Sequence, residues 1–192
     1  TSYYGPWCYN ETEEGWMEGV DFRYNEHFTA MFDRIRNKFP NVIFENCASG
    51  GGRTDLGIMR SFNHTWVSDW QRAPRSVMIT NGITMALPPE RVDRLVSGMN
   101  CHLYGTLDLH IRNVLLGHVS LNVISCAAIP PNPLVMEFVK HSTDVYKEFI
   151  RPMLAHCTSY HHTPEVSDLA VQEIATDKSG AITIIALEGQ KE

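Results

Sequence analysis

The chain has 192 residues, 43% hydrophobic, 20% charged and 10% aromatic, with 16 lysines and arginines against 22 acidic residues for a net charge of −6. That size and apolar content suffice for a substantial core and exclude disorder, while an acidic balance without any Lys/Arg-rich run excludes the electrostatic footprint of a nucleic-acid or anionic-membrane binder. No apolar run approaches the ~20 residues that span a bilayer, and five scattered cysteines, an odd number, point to reduced thiols and a cytoplasmic location.

The chain opens on Thr1-Ser2-Tyr3-Tyr4-Gly5-Pro6-Trp7, an aromatic leader with no signal-peptide pattern and ill suited to lie loose in water. From Glu26, the residues His27-Phe28, Met31-Phe32, Ile35 and Phe39 recur at helical spacing and stop at Pro40, which predicts an amphipathic helix with Arg and Lys in its last turns. Val42-Ile43-Phe44 reads as a short buried strand ending on Glu45-Asn46-Cys47. Ser49-Gly50-Gly51-Gly52-Arg53 then supplies a loop whose glycines permit unusual backbone angles. A short helix through Leu56–Met59 leads to a second buried strand, Thr65-Trp66-Val67, which ends on Ser68-Asp69-Trp70.

Helical turns are predicted at Arg75–Asn81 and Glu90–Gly98 around the Pro88-Pro89 break, then a helix over Asp108–Leu116, a strand over Val119–Ser125 and a long helix from Pro133 to Ala155. From Val166 the pattern alternates, and Ala181–Leu187 is a strand that needs partners. Strand and helix alternate, with polar residues gathered just after strand C-terminal ends. That is the pattern of a parallel α/β sheet or barrel whose active site sits on its βα loops. Both ends of the chain look cut, so a fragment of a larger protein is expected.

The chemistry gathers at the strand ends. Asp69 lies between Trp66 and Trp70, and partly apolar surroundings let a carboxyl hold a proton to give to a leaving oxygen. The plainer reading of such an Asp is a helix N-cap. Glycines let the backbone approach a polyhydroxylated ligand, and the indole of Trp70 offers a face to stack on a pyranose. Arg53 with Asp55 either orients a substrate hydroxyl or fixes the glycine loop as an ion pair. Cys47 has no His or Lys beside it in sequence to activate it, so it reads as a lining thiol rather than a nucleophile. Nine histidines show no C-x2-C or H-E-x-x-H spacing, so no metal is expected. Asp108-Leu109-His110-Ile111-Arg112 reads as structural.

The run Glu45-Asn46-Cys47-Ala48-Ser49-Gly50-Gly51-Gly52-Arg53-x-Asp55-x-Gly57-x-Met59, followed by Trp66-x-Ser68-Asp69, resembles the paired signature of glycoside hydrolase family 36, the α-galactosidase and raffinose-type family. The resemblance implies a partial (β/α)8 TIM barrel, its second half of about four βα units, over residues 1–163. The first strands of an antiparallel C-terminal β-sandwich would then occupy residues 164–192. It also implies that Asp69 is the general acid/base of a retaining exo-glycosidase, and that Cys47, Ser49, Gly50 and Gly51 lie against the sugar in the −1 subsite. With these, Arg53 and Trp70 complete the expected substrate-binding set.

Family members commonly continue the second motif as Ser-Asp-x-Thr-Asp, whereas Trp70-Gln71-Arg72 follows here. The family's nucleophile is the Asp of a Lys-x-Asp motif, which occurs nowhere in the 192 residues, so it is expected upstream of Thr1. The implied substrate is an α-linked galactoside or related oligosaccharide, and no cofactor is called for. A half-barrel leaves edge strands open, so a homo-oligomer is expected. The alternative is a non-catalytic carbohydrate-binding or self-associating barrel remnant.

Overall fold

The computed structural model describes residues 11–12, 15–16, 20–71, 75–97, 106–122, 132–161, 168–175 and 180–187. The aromatic leader at Tyr3–Trp7 lies outside them. The chain divides into two compact units, Thr1–Trp66 and Val67–Glu192. No helix of the described residues is long and apolar enough to cross a membrane.

In the first unit, β1 (Glu11–Thr12) and β2 (Gly15–Trp16) pair antiparallel, and α1 (Val20–Lys38) follows. The helix begins before the expected Glu26 because Tyr24 extends the four-residue spacing of Phe28 and Phe32. These rings meet at 5.8 and 4.8 Å between centroids, as i,i+4 side chains on one helix face do. The stripe packs on Phe44 and Phe62, whose rings lie 5.8 and 4.6 Å from that of Phe32. Arg36 and Lys38 sit in the last turn, where cations complement the helix dipole.

The strand expected at Val42-Ile43-Phe44 is displaced: β3 is Glu45–Asn46, and Val42 and Ile43 are exposed, Ile43 at 71%. The cause is Asn63. Its side-chain Oδ1 accepts from the Phe44 N–H at 2.9 Å, and its own N–H donates to the Phe44 carbonyl at 2.8 Å. One residue thus occupies both backbone groups of Phe44, and the ladder starts only after it. β3 pairs in parallel with β4 (His64–Trp66), with Glu45 opposite His64 and Asn46 opposite Thr65. Between them, α2 (Leu56–Ser61) is capped by Asp55, whose Oδ1 accepts from the Ile58 N–H at 2.8 Å.

In the second unit, α3 (Arg75–Thr84) follows the loop after β4. The helical turns expected over Glu90–Gly98 are wrong beyond the first residues. A 3-10 turn at Pro89–Arg91 gives way to a strand, β5 (Val92–Ser97). It pairs in parallel, from Asp93 to Ser97, with β6 (His118–Asn122). β5 escapes the sequence pattern because Arg94 stands at a buried position between Val92 and Val96. Its Nη1 donates to the Asn113 carbonyl at 3.1 Å on α4 (Leu107–Leu115), which gives the buried guanidinium one acceptor away from water. Val96 packs with Ile111, Val114 and Val139, which joins the sheet to α4 and α5 (Pro133–Val145).

The long helix expected to Ala155 continues from α5 through a π-helical turn, Tyr146–Ile150, into α6 (Arg151–Leu154). Pro152 explains the widened turn: it lacks an N–H and its ring would strike a carbonyl one turn back. The antiparallel strands expected from residue 164 begin earlier, at β7 (Cys157–His161), which pairs with β8 (Asp168–Ala175), as β8 does with β9 (Ala181–Leu187). β7 alternates half-buried and exposed residues, but its buried side carries Cys157, Ser159 and His161, so no apolar alternation marks it in sequence.

Candidate active site

The chain leaves β3 into the loop that carries the first motif. Ser49 and Gly50 both adopt left-handed backbone angles, φ 50° and 70°, and the turn is closed by Ala48 N–H to Gly50 O at 3.0 Å and Gly52 N–H to Ala48 O at 3.1 Å. Gly52 is required for closeness: a Cβ there would sit 2.7 Å from the Ala48 carbonyl oxygen. Thr54 N–H donates to Gly51 O at 3.0 Å and ends the loop. Among the described residues, the N–H groups of Ser49, Gly50 and Gly51 donate to no protein acceptor. Consecutive backbone donors on such a turn are an arrangement that can hold ligand oxygens. A non-glycine residue held at positive φ is a strained position of the kind that gathers at binding sites.

Cys47 is exposed at the head of this loop. Arg53 donates from Nη1 to the Tyr24 hydroxyl at 3.1 Å and lies over the Tyr24 ring at 5.5 Å, which ties the loop's far end to α1. Asp55 is the cap of α2. Behind the loop, Asn46 Nδ2 donates to Thr54 Oγ1 at 3.2 Å and to Thr65 Oγ1 at 3.0 Å, and the two hydroxyls meet at 2.7 Å. On the other face of the same two strands, Glu45 Oε2 and His64 Nε2 pair at 2.9 Å. Successive residues of a strand point to opposite faces, so these two rungs put one polar pair on each side of the sheet.

The chain leaves β4 into Ser68-Asp69-Trp70, in the second unit. Ser68 Oγ accepts from the Trp70 N–H at 3.0 Å, and its carbonyl accepts from the Gln71 side-chain amide. Asp69 is exposed, so the apolar enclosure expected from its two tryptophan neighbours is absent among the described residues. Trp70 is 48% exposed, and the Arg75 guanidinium lies 5.0 Å from the centre of its ring. The structure thus gathers Cys47, Ser49, Gly50, Gly51 and Arg53 on one loop of the first unit, and Asp69 with Trp70 on one turn of the second.

Sequence reasoning missed two sets of polar residues. One is the buried trio Asn46, Thr54 and Thr65, whose register partnership is invisible without strand pairing. The other is Asp93 and Arg94 of β5, which line a small cleft with Ser68, Trp70 and Thr80; Asp93 accepts from Ser120 Oγ at 2.8 Å. A cavity of about 440 Å³ in the second unit lies elsewhere, against α4, β6 and the π-helical turn. Glu90 is the one carboxylate among its described lining residues, which leaves it without the pair that glycoside hydrolysis needs.

Residues 9–124 match the family model described as Melibiase. Alpha-galactosidase 2 of Hypocrea jecorina is 40% identical over 81 residues, which are 42% of this chain and 11% of that protein. Alpha-galactosidase C of Emericella nidulans is 29% identical over 168 residues, 85% of this chain and 22% of that one. The crystal structure of GH36 alpha-galactosidase AgaB from Geobacillus stearothermophilus matches with a TM-score of 0.79 at 23% identity, covering 91% of this chain and 24% of that one. GH36 alpha-galactosidase AgaA of the same organism, solved in complex with raffinose, matches with the same figures. The chain spans less than a quarter of each of these proteins. Its fold is α/β: a partial (β/α)8 barrel of the units β3–α2, β4–α3, β5–α4 and β6–α5, followed by antiparallel strands.

Proposed function

This chain belongs to the melibiase family, and on that premise we propose that it carries the second half of the catalytic barrel of a family 36 retaining exo-α-galactosidase. The observation that carries the reading is the Ser49–Gly51 turn, with its left-handed angles and three N–H donors. Those donors would take the hydroxyl oxygens of a terminal galactose, with Cys47 lining the same pocket and Trp70 offering a stacking face. Asp69 would give its proton to the leaving oxygen and then take one from the attacking water. The carboxylate that attacks the anomeric carbon would come from residues preceding Thr1, because double displacement requires two carboxyls ~5–5.5 Å apart.

Oligosaccharides of the raffinose class are the proposed substrates, by analogy with the complex in which a related barrel was solved. Strands β7 to β9 are read as the start of a C-terminal β-sandwich. Self-association and a cytoplasmic location belong to the same reading, the second resting on the odd cysteine count.

Asp69→Asn in the complete protein tests the assignment. Hydrolysis of raffinose should fall ~10²–10⁴-fold, the contribution of a positioned general acid. Release of p-nitrophenol from the aryl α-galactoside should persist in the first turnover, because a phenolate departs without a proton. An unchanged rate on raffinose would refute the role of Asp69.

A further inference from the structure

We infer that Thr65 is a positioning residue for the Cys47–Arg53 loop, acting through a closed hydrogen-bond triangle with Asn46 and Thr54. The inference rests on the reading of that loop as the galactoside cradle. Asn46 is the residue before the loop and Thr54 the residue after it, so the triangle holds both ends of the loop to a single point on β4.

The proton count closes. Thr65 Oγ1 donates to the Trp66 carbonyl at 3.1 Å, which leaves its two lone pairs to accept, one from Asn46 Nδ2 at 3.0 Å and one from the Thr54 hydroxyl at 2.7 Å. The second Asn46 N–H donates to Thr54 Oγ1 at 3.2 Å. Every hydrogen of the three polar groups has one acceptor. Thr65 is fully buried and Asn46 5% exposed, so removing one hydroxyl strands its partners away from water. The triangle sits on the sheet face opposite the Glu45–His64 pair, so it holds the loop without occupying that face.

A cradle of three backbone donors works only if its spacing is fixed before the ligand arrives, since a displacement near 1 Å is enough to lose most of a positioned contact. The triangle supplies that fixity. Among the described residues, the backbone hydrogen bonds of the Ser49–Gly51 turn stay within the loop, so its placement on the scaffold comes from its two ends, the triangle and the Arg53–Tyr24 bond.

The test uses three variants of the full-length protein: Thr65→Val, which keeps the shape and loses the hydroxyl, Thr65→Ser, which keeps the hydroxyl, and Thr54→Val as a milder cut should Thr65→Val fail to fold. The first readout is amide hydrogen exchange over residues 47–54 without ligand. Exchange should rise at least ~10-fold in the valine variants and stay near wild type in Thr65→Ser, as expected when local opening becomes easier. The second readout is steady-state hydrolysis of p-nitrophenyl α-galactoside, whose leaving group needs no acid. KM should rise ~10-fold with kcat changed by less than ~3-fold, the signature of lost binding common to ground and transition states, with Thr65→Ser restoring both. Unchanged loop exchange in a folded valine variant would overturn the inference, and so would loosened exchange with an unchanged KM. A wild-type protein that hydrolyses no α-galactoside would overturn the functional reading alone, because the exchange experiment still judges the triangle.

Discussion

Two adjacent residues of the candidate cradle respond in opposite directions to loss or gain of a side chain. Ser49 sits at φ 50° and Gly50 at φ 70°, a region that disfavours any L side chain by about 1–2 kcal/mol. Ser49→Gly removes that strain but returns roughly 0.5–1 kcal/mol of backbone freedom to the unfolded chain, so the net gain is about 0.5–1 kcal/mol. Gly50→Ala runs the other way: the strain of about 1–2 kcal/mol appears and only part is recovered from the stiffer unfolded chain. One kcal/mol moves the melting midpoint by roughly 2–4 °C in a chain of this length. The two variants should therefore separate by several degrees in thermal melts followed by circular dichroism, Ser49→Gly above wild type and Gly50→Ala below. KM for an aryl α-galactoside should rise in Gly50→Ala, because the second left-handed residue aims the adjacent donors. Midpoints that move together, or a Gly50→Ala variant indistinguishable from wild type, would show that the loop does not hold this backbone in solution.

The cap of α2 makes a simpler claim: Asp55→Ala should destabilise by about 1 kcal/mol, read as a fall in denaturant midpoint at constant slope, whereas Asp55→Asn should retain most of it. Acid provides a second handle. Hydrogen bonds from Arg60 and then Ser61 hold the Asp33 carboxyl below its usual value. A carboxyl depressed in the folded state stabilises above the unfolded value near ~4 and loses that contribution as pH falls through the folded value. Asp33→Asn should therefore flatten the acid limb of a stability-against-pH curve without changing the neutral region's shape, and an acid limb identical to wild type would remove the ion pair from the account.

Periodic elements were legible and register-dependent ones were not. The stripe Phe28, Phe32 and Ile35 announced α1, and Pro133 with a long apolar face announced α5. β5 was misread because Arg94 breaks the apolar alternation of Val92 and Val96. Its burial makes sense only once the Asn113 carbonyl, 19 residues on, is seen to receive it. β3 was misplaced because nothing in Val42-Ile43-Phe44 reveals that Asn63 will take both backbone groups of Phe44. At the site, the glycine run was readable because few backbones need glycine in such density. The setting of Asp69 was not, because sequence neighbours Trp66 and Trp70 do not enclose it. The triangle of Asn46, Thr54 and Thr65 was inaccessible for the same reason as β5: it depends on which residues face each other across two strands.

Three carboxylates of the first unit can be accounted for individually, and the account bears on activity. Glu45 is paired with His64 at 2.9 Å. Asp55 accepts the Ile58 N–H as a helix cap, and a capping carboxylate is held by its helix rather than presented to a ligand. Asp33 is bound to Arg60 and Ser61. Asp69 is the exposed carboxyl that follows β4 in the second unit, the proposed proton donor, and the sequence holds no Lys-x-Asp motif to accompany it. Proton transfer alone contributes ~10²–10⁴-fold, against accelerations of at least ~10⁶-fold for whole enzymes. The purified 192-residue chain should therefore release no galactose from raffinose above background while the longer protein that includes a Lys-x-Asp segment does. Robust turnover by the 192-residue chain, abolished by Glu45→Gln or Asp55→Asn, would show that one of those two carboxylates is the nucleophile and that its hydrogen-bond partner activates rather than occupies it.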